Sequence, residues 1–184
     1  MIATTSPKSA EFLTHCEQLY SVEQVQSAIA DMADNITAHL ADKDPILLCV
    51  MNGGLVFSGQ LLPLLGFPLS LDYLHATRYQ KTEHGAEVQW LNKPNMPLTG
   101  RCVLILDDIL DEGLTLRSVL DFCWQQGASE VRIAVMIEKK HRRNNSGIEA
   151  DFIGLTVADR YIFGMGMDCQ GYWRNASGIY AVKL

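Results

Sequence analysis

Four acidic side chains follow a strongly apolar segment within residues 103–116, VLILDDILDEGLTL. Asp107 and Asp108 come directly after the apolar run, and Asp111 and Glu112 follow a short distance later. Like charges beside a buried strand repel one another unless a cation or hydroxyl groups lie between them. Acidic residues at a helix N-terminus complement the helix dipole, but that role explains one or two carboxylates rather than four.

The residues after these acids predict an anion site. Gly113 and Thr115 lead into residues 115–126, which have helical spacing. The free backbone N–H groups at a helix N-terminus bind anions, and the Thr115 hydroxyl adds another donor. One end of the stretch therefore favours phosphate, and the other favours hydroxyls or a metal. A phosphorylated sugar with a divalent cation satisfies both ends.

The elements that position these residues are short apolar segments alternating with helical ones. This order predicts an α/β fold with a mostly parallel sheet flanked by helices, and ligands bind at the carboxyl ends of such strands. A capping box at Ser21 predicts the start of the first helix. The predicted strands are residues 46–50, 69–74, 101–106, 131–137, 152–157 and 178–182, and the predicted helices are 22–40, 55–65 and 115–126. Residues 77–97 are mostly polar and are predicted to be an irregular loop.

Two further loops follow predicted strands. Asn52, Gly53 and Gly54 come after the first strand, and paired glycines allow a ligand to approach the backbone closely. A plain tight turn gives the same pattern. Residues 138–143, EKKHRR, follow the fourth strand and are mostly basic in an acidic protein. This pattern is typical of a ligand site or of a solvated charged face.

Length, composition and charge restrict the function classes. A chain of 184 residues predicts one domain, and its net charge of −6 disfavours nucleic-acid binding. No apolar run approaches the ~18 residues of a membrane span, and the N-terminus lacks the apolar segment of a secretory signal. The five cysteines include no C-x-x-C pair and are expected to be buried, reduced thiols. We therefore expect a cytoplasmic protein without nucleic-acid or membrane partners.

Residues 103–116 closely resemble the phosphoribosyl diphosphate signature of the type I phosphoribosyltransferases. From about residue 47 to 182 the chain resembles the hypoxanthine-guanine branch of that family. The resemblance implies a single domain, 1–184, with a core at about 45–160, a small hood from about 1–44 and 161–184, and a mobile lid loop at about 77–92. It also implies a homodimer or homotetramer.

The activity implied by this resemblance is purine salvage. The enzyme would use Mg2+ to transfer the 5-phosphoribosyl group from phosphoribosyl diphosphate to hypoxanthine or guanine, giving IMP or GMP and pyrophosphate. Asp107 and Asp108 would bind the ribose hydroxyls and magnesium, and Asp111 would be the general acid/base near purine N7. The other implied ligands of phosphoribosyl diphosphate are Asn52, Gly53, Glu112, Gly113, Leu114, Thr115 and Arg174, with a strained peptide bond at Asn52 and Gly53.

The resemblance also assigns residues to the purine, the second metal contact and the lid. Lys139 would bond the exocyclic oxygen of a 6-oxopurine, Tyr161 would stack on the ring, and Ile162 would offer backbone groups. Core packing is the alternative for Tyr161 and Ile162. Asp168 would be a second magnesium ligand, whereas Arg78 and Tyr79 begin the lid.

Three residues depart from the family pattern. Relatives commonly carry lysine at Asn52, serine at Arg78 and threonine at Glu112. We expect Glu112 to turn away from the 5′-phosphate or to be neutralised by Arg78 or a lysine, because a carboxylate beside a phosphate is repelled.

Three other functions remain alternatives to purine salvage. One is transfer to another base, such as xanthine, adenine or uracil, although Lys139 favours an oxygen over an amino group. Another is a non-catalytic regulator that keeps the phosphoribosyl diphosphate site. A dinucleotide-binding oxidoreductase would need G-x-G-x-x-G after the first strand, which residues 52–54 do not supply.

Overall fold

Two sheets and three α-helices make up the structure, a computed structural model that describes residues 6–79, 87–141 and 146–183. Residues 78, 79 and 87 are described by their backbone only. The strands are β1 Cys16–Tyr20, β2 Ile46–Met51, β3 Ser70–Tyr79, β4 Glu87–Asn92, β5 Cys102–Leu110, β6 Glu130–Lys140, β7 Phe152–Ala158, β8 Ile162–Phe163 and β9 Ile179–Val182. The helices are α1 Val22–Leu40, α2 Gly54–Leu61 and α3 Leu114–Gln125, with 3-10 turns at Ala10–His15 and Leu62–Leu64.

The larger sheet has six strands in the order β4-β3-β2-β5-β6-β7. In this spatial order, β3, β2, β5, β6 and β7 are parallel to one another. Strand β4 runs antiparallel to β3 at one edge. The fold class predicted from the sequence is therefore confirmed. The carboxyl ends of β2, β3 and β5 meet at one edge of this sheet, where the predicted ligand loops begin.

The core lies on both faces of the six-stranded sheet. Along β2, Leu47 packs on the face that α1 and α2 cover, whereas Ile46 and Leu48 pack on the face that α3 covers. All three side chains are fully buried. A strand covered on both faces carries apolar residues at every position, which explains the continuous apolar runs in the sequence.

The first helix forms as the sequence predicts. Ser21 and Gln24 exchange capping-box hydrogen bonds, and the apolar positions Val25, Ile29 and Ile36 are at most 2% exposed. The helix packs against β7, the last strand of the larger sheet. A sharp N-terminal cap and one buried stripe therefore fix both its start and its orientation.

The smaller sheet contains three antiparallel strands in the order β1-β9-β8. Cys16 and Phe163 on this sheet form a separate apolar cluster with Phe12 and Cys169, whereas Ile179 packs into the main core. The sequence prediction included β9 but not β1 or β8, because five and two residues are too short to show a clear period. This sheet brings the two ends of the described chain together.

Two strands are longer than predicted. β5 continues through Asp107 and Asp108 to Leu110, and β6 continues through Lys139 to Lys140. The predicted ends at residues 106 and 137 were wrong because backbone pairing continues where the side chains become polar: Leu110 lies opposite Glu138. The acidic pair and Lys139 consequently lie on strands rather than in loops.

The predicted irregular segment, residues 77–97, was also partly wrong. Its described ends form an antiparallel pair, in which Thr77 lies opposite Gln89. Val88 and Trp90 alternate with polar residues and pack against the core on the α3 side of the sheet. The centre of the predicted lid, residues 80–86, lies outside the described residues.

All five cysteines are buried and free. None of the helices in the described ranges is both long enough and apolar enough to span a bilayer.

Candidate active site

A cavity of about 390 Å³ opens at the carboxyl ends of β2, β3 and β5. Among its lining residues are eight of those singled out in the sequence, namely Asn52, Gly53, Asp107, Asp108, Asp111, Gly113, Thr115 and Arg174. These residues come from three distant parts of the chain, and the parallel sheet brings them to one edge. A larger groove of about 750 Å³ between α1 and β7 contains none of the predicted site residues.

Asp107 and Asp108 are adjacent buried carboxylates within β5. Each residue is only 8% exposed, and the backbone N–H of Asp108 donates to Oδ1 of Asp107 at 2.9 Å. Burial raises the pKa of both side chains, and the neighbouring negative charge raises that of Asp107 further. These two carboxyl groups have lost the water that would stabilise their negative charge. A bound cation or hydrogen bonds from sugar hydroxyls would stabilise the charged form instead.

The backbone at Gly53 lies directly against Asp108. A Cβ atom added at Gly53 would lie 2.2 Å from Oδ2 of Asp108, which is closer than nonbonded atoms approach. One residue earlier, the peptide bond Met51–Asn52 is cis. Only a glycine fits here, and its backbone is open to the cavity beside the acidic pair.

Asp111 is bound by two side chains from the end of β6. Nζ of Lys139 donates to Oδ2 at 2.8 Å, and Nε2 of His141 lies 2.7 Å from Oδ1. Burial raises the pKa of Asp111, but the hydrogen bonds from Lys139 and His141 outweigh that effect, and the net change lowers it. The carboxylate is therefore held ionised, as a proton acceptor requires.

The predicted phosphate loop is the turn that precedes α3. Gly113 has a φ of +76°, and the helix begins at Leu114. Gly113 and Thr115 line the cavity, whereas Glu112 and Leu114 do not. The left-handed glycine allows the chain to turn into α3, whose first N–H groups have no hydrogen-bond partner within the helix.

Tyr161, Asp168 and Arg174 form a connected group after β7. The Tyr161 hydroxyl donates to the backbone oxygen of Asp168 at 3.2 Å, and Arg174 contacts Oδ1 of Asp168 at 2.6 Å. Tyr161 is 56% exposed, which excludes the core-packing alternative for its ring. The Ile162 side chain is buried, so packing does account for that side chain.

Among the polar residues at or beside the cavity, three were not predicted from the sequence. His75 and Thr77 line the cavity from β3, where alternate residues share one face, and His141 contacts Asp111. The backbone of Arg78 and Tyr79 continues β3 immediately beyond these positions. The alternation of apolar and polar residues at 74–77 was the available signal for His75 and Thr77. His141 carried no such signal within its basic cluster.

The carboxylates suit a magnesium ion that also binds substrate oxygens. No group of three or more His, Cys, Asp and Glu side chains within the described residues forms a protein-only metal site. Magnesium usually binds one or two carboxylates together with phosphates and water, which Asp107 and Asp108 fit. Asp168 also offers carboxylate oxygens, although Arg174 and the backbone N–H of Gly171 contact them here.

A mostly parallel α/β sheet with this acidic cavity defines the chain as a type I phosphoribosyltransferase. The model of the phosphoribosyl transferase domain matches residues 15–170, and the chain belongs to that family.

Curated relatives and solved structures agree with this assignment. A hypoxanthine-guanine-xanthine phosphoribosyltransferase from Tritrichomonas foetus is 28% identical over 165 residues, 90% of each chain. The hypoxanthine-guanine phosphoribosyltransferase of Bacillus subtilis (strain 168) is 28% identical, over 90% of this chain and 92% of its own length. A hypoxanthine-guanine phosphoribosyltransferase structure from Bacillus anthracis aligns with a TM-score of 0.82 at 25% identity, covering 90% of this chain and 96% of that one.

Proposed function

We propose that this protein is a magnesium-dependent purine-salvage enzyme that transfers the 5-phosphoribosyl group from phosphoribosyl diphosphate to hypoxanthine or guanine. The family assignment and the names of its relatives support the reaction class. The products are IMP or GMP and pyrophosphate. The alternatives for the base, including xanthine, are distinguished by the assay below.

The ion pair of Lys139 and Asp111 is the observation that best supports a 6-oxopurine. Their side chains place a donor and an acceptor 2.8 Å apart beside the cavity. A 6-oxopurine presents the complementary pair on one edge, the O6 acceptor and the N7–H donor. Adenine has an amino group at position 6, which would meet the ammonium group as donor against donor.

The phosphoribosyl group has a complementary set of protein groups. Asp107 and Asp108 accept hydrogen bonds from the ribose hydroxyls, and the N–H groups at the start of α3 bind the 5′-phosphate with Thr115. Arg174 and the backbone of Gly53 contact the pyrophosphate. When bound, magnesium supplies charge neutralisation for the diphosphate, with Asp107, Asp108 and Asp168 as its protein ligands.

Bond exchange at ribose C1′ follows from this placement. N9 of the base forms a bond to C1′ while the bond from C1′ to the diphosphate oxygen breaks, and pyrophosphate leaves with that electron pair. Asp111 accepts the N7 proton. Tyr161 stacks on the base, and backbone groups of Ile162 bind its far edge. Holding base and sugar in line removes much of the entropic barrier.

We propose the domain plan that the resemblance implies, a single domain with core, hood and lid. The smaller sheet supports the hood, because β1 comes from the N-terminal part of the chain and β8 and β9 come from the C-terminal part. Closure of the lid beyond Arg78 and Tyr79 would exclude water from the activated sugar.

We propose a homodimer or homotetramer in the cytoplasm, without nucleic-acid or membrane partners. Leu55, Leu71 and Tyr73 are each about half exposed and line one apolar depression, which supports an interface between copies. Sedimentation of the protein with Leu71→Asp tests this surface, since a charge there is expected to produce monomers. The free, buried cysteines support a reducing compartment.

A product assay with five bases tests the activity. Purified protein, magnesium and phosphoribosyl diphosphate are mixed separately with hypoxanthine, guanine, xanthine, adenine and uracil, and nucleotide and pyrophosphate are measured by chromatography. Turnover of oxopurines alone, lost in Asp111→Asn, is the expected result. Calorimetric binding of phosphoribosyl diphosphate without turnover of any base would instead support the non-catalytic regulator.

A further inference from the structure

His141 contacts Asp111 from a buried position immediately after β6. Its side chain is only 4% exposed, and Nε2 lies 2.7 Å from Oδ1 of Asp111. Lys139, two residues earlier, approaches the other carboxylate oxygen. Residues two apart on an extended chain lie on the same side, which explains how both reach one carboxylate.

Lys139 and His141 differ in what they can do at the Asp111 carboxylate when a purine binds. The Lys139 ammonium has three N–H donors on a flexible stem, and the proposed function directs one of them to purine O6. The imidazole has a single N–H on Nε2 in a rigid, buried ring. The bond from His141 therefore holds the carboxylate in place while Lys139 adjusts to the base.

We propose that His141 is a positioning residue that fixes the orientation of the Asp111 carboxylate through its Nε2–H. This inference rests on the proposed function for its catalytic consequence. The contact to Asp111 itself does not depend on which base is used. The imidazole needs no change of protonation for this role, because Nε2 carries a proton in one neutral tautomer and in the cation.

Charges around Asp111 determine how the carboxylate responds to loss of His141. Lys139 and His141 face it from the end of β6, and Asp107, Asp108, His75 and Arg174 line the same cavity from the other elements. The His141 hydrogen bond lowers the pKa of Asp111. Without the His141 imidazole, Lys139 still contacts the Asp111 carboxylate but this hydrogen bond is lost. The pKa of Asp111 should therefore rise.

Two substitutions separate the hydrogen bond from the volume of the side chain. His141→Leu removes the donor and keeps a side chain of similar size, whereas His141→Gln supplies an amide N–H at a similar reach. His39→Leu is the matched control, because His39 is an exposed histidine on α1 and lies outside the active-site cavity. Circular dichroism and thermal melts of each full-length variant establish that it is folded.

Steady-state kinetics with hypoxanthine is the first measurement. We expect kcat to fall about tenfold in His141→Leu, equivalent to ~1.4 kcal/mol in the barrier, with the KM for phosphoribosyl diphosphate within twofold of the original. His141→Gln should recover kcat to within about threefold. A folded His141→Leu protein with unchanged kcat overturns the proposal, as does a glutamine variant that is equally impaired.

Titration of the Asp111 carboxyl carbon by NMR tests the contact without turnover. The resonance is assigned in protein carrying 13C-labelled aspartate by its loss in Asp111→Asn. Its midpoint should move to higher pH in His141→Leu, move less in His141→Gln, which keeps an N–H donor but carries no charge, and stay near the original value in His39→Leu. Equal midpoints in His141→Leu and the original protein overturn the proposal. If the original protein turns over no base, the proposed function fails, and this titration still decides the role of His141.

Discussion

Nζ of Lys139 lies 2.8 Å from Oδ2 of Asp111, although 28 residues separate them in the chain. The two residues meet because β5 and β6 are adjacent parallel strands, with Leu110 opposite Glu138 just before each side chain. The sheet register thus positions the donor and the acceptor that we propose for one edge of a 6-oxopurine.

Lys139→Met should impair use of the base while leaving the phosphoribosyl donor site intact. Methionine keeps the buried stem but removes the charged donor that we propose for O6. We expect kcat/KM for hypoxanthine to fall about 10- to 100-fold, corresponding to the ~1.5–3 kcal/mol of a hydrogen bond involving a charged group. Steady-state kinetics measures this loss.

Lys140→Met is the matched control for this substitution. Lys140 is 60% exposed and pairs with Glu138 rather than with Asp111. Its replacement should leave hypoxanthine kinetics unchanged. Equal losses in the two variants would contradict a specific contact from Lys139.

Asp108→Asn should stabilise the ligand-free protein and weaken binding of phosphoribosyl diphosphate. Burial raises the pKa of Asp108 to about 6. As pH rises from about 4 to about 6, this carboxyl ionises in the unfolded chain before it ionises in the folded one, so the native protein loses stability. Asparagine does not ionise, so the variant should not lose stability over this pH range.

Urea unfolding without magnesium at several pH values measures the effect of Asp108→Asn. The free energy of unfolding of the variant should equal that of the original protein below pH ~4. The difference in favour of the variant should grow up to pH ~6 and then stay constant at about 1 to 3 kcal/mol. Calorimetry should show loss of donor binding in the same protein. A variant that is less stable than the original at pH 8 would count against this account.

Gly53→Ala should disrupt the donor site through a steric clash. The added methyl group would overlap Oδ2 of Asp108, so the backbone or the carboxylate must move. We expect the Kd for phosphoribosyl diphosphate, measured by calorimetry with magnesium, to rise more than about tenfold, a loss of ~1.4 kcal/mol.

Gly59→Ala makes the same chemical change without the clash. Nothing lies within 4 Å of the added Cβ at Gly59, which is inside α2. Donor affinity should not change, and stability should rise by about 0.5–1 kcal/mol because alanine favours a helix. If Gly53→Ala also kept its affinity for phosphoribosyl diphosphate, the prediction would be wrong. The backbone at residue 53 could then move without loss of binding.

Glu112→Thr should leave the KM for phosphoribosyl diphosphate within twofold. Glu112 does not line the cavity, whereas its neighbours Asp111 and Gly113 do, so we expect its carboxylate to lie away from the phosphate site. Initial-rate kinetics at varied donor concentration checks this expectation. A tenfold lower KM, or ~1.4 kcal/mol of relieved repulsion, would place the carboxylate beside the phosphate instead.

Much of the fold was predictable because local patterns encode it. The capping box at Ser21 and the apolar stripe of α1 are set by residues three and four apart. The runs that form β2 and β5 are apolar because both faces of the larger sheet are covered. The spacing of Asp107, Asp108 and Gly113 likewise predicted a site for a phosphorylated sugar, because acids and a helix N-terminus follow one another within a few residues.

The sequence by itself determined the fold class, the main elements and the residues of the acidic stretch, since each depends on neighbours in the chain. Only the tertiary structure decided where β5 and β6 end and that His141 reaches Asp111. These features depend on strand register and on contacts between residues distant in sequence, which local periodicity does not encode. In the sequence His141 is one more residue of a basic cluster, and only the pairing of β5 with β6 brings it to the Asp111 carboxylate.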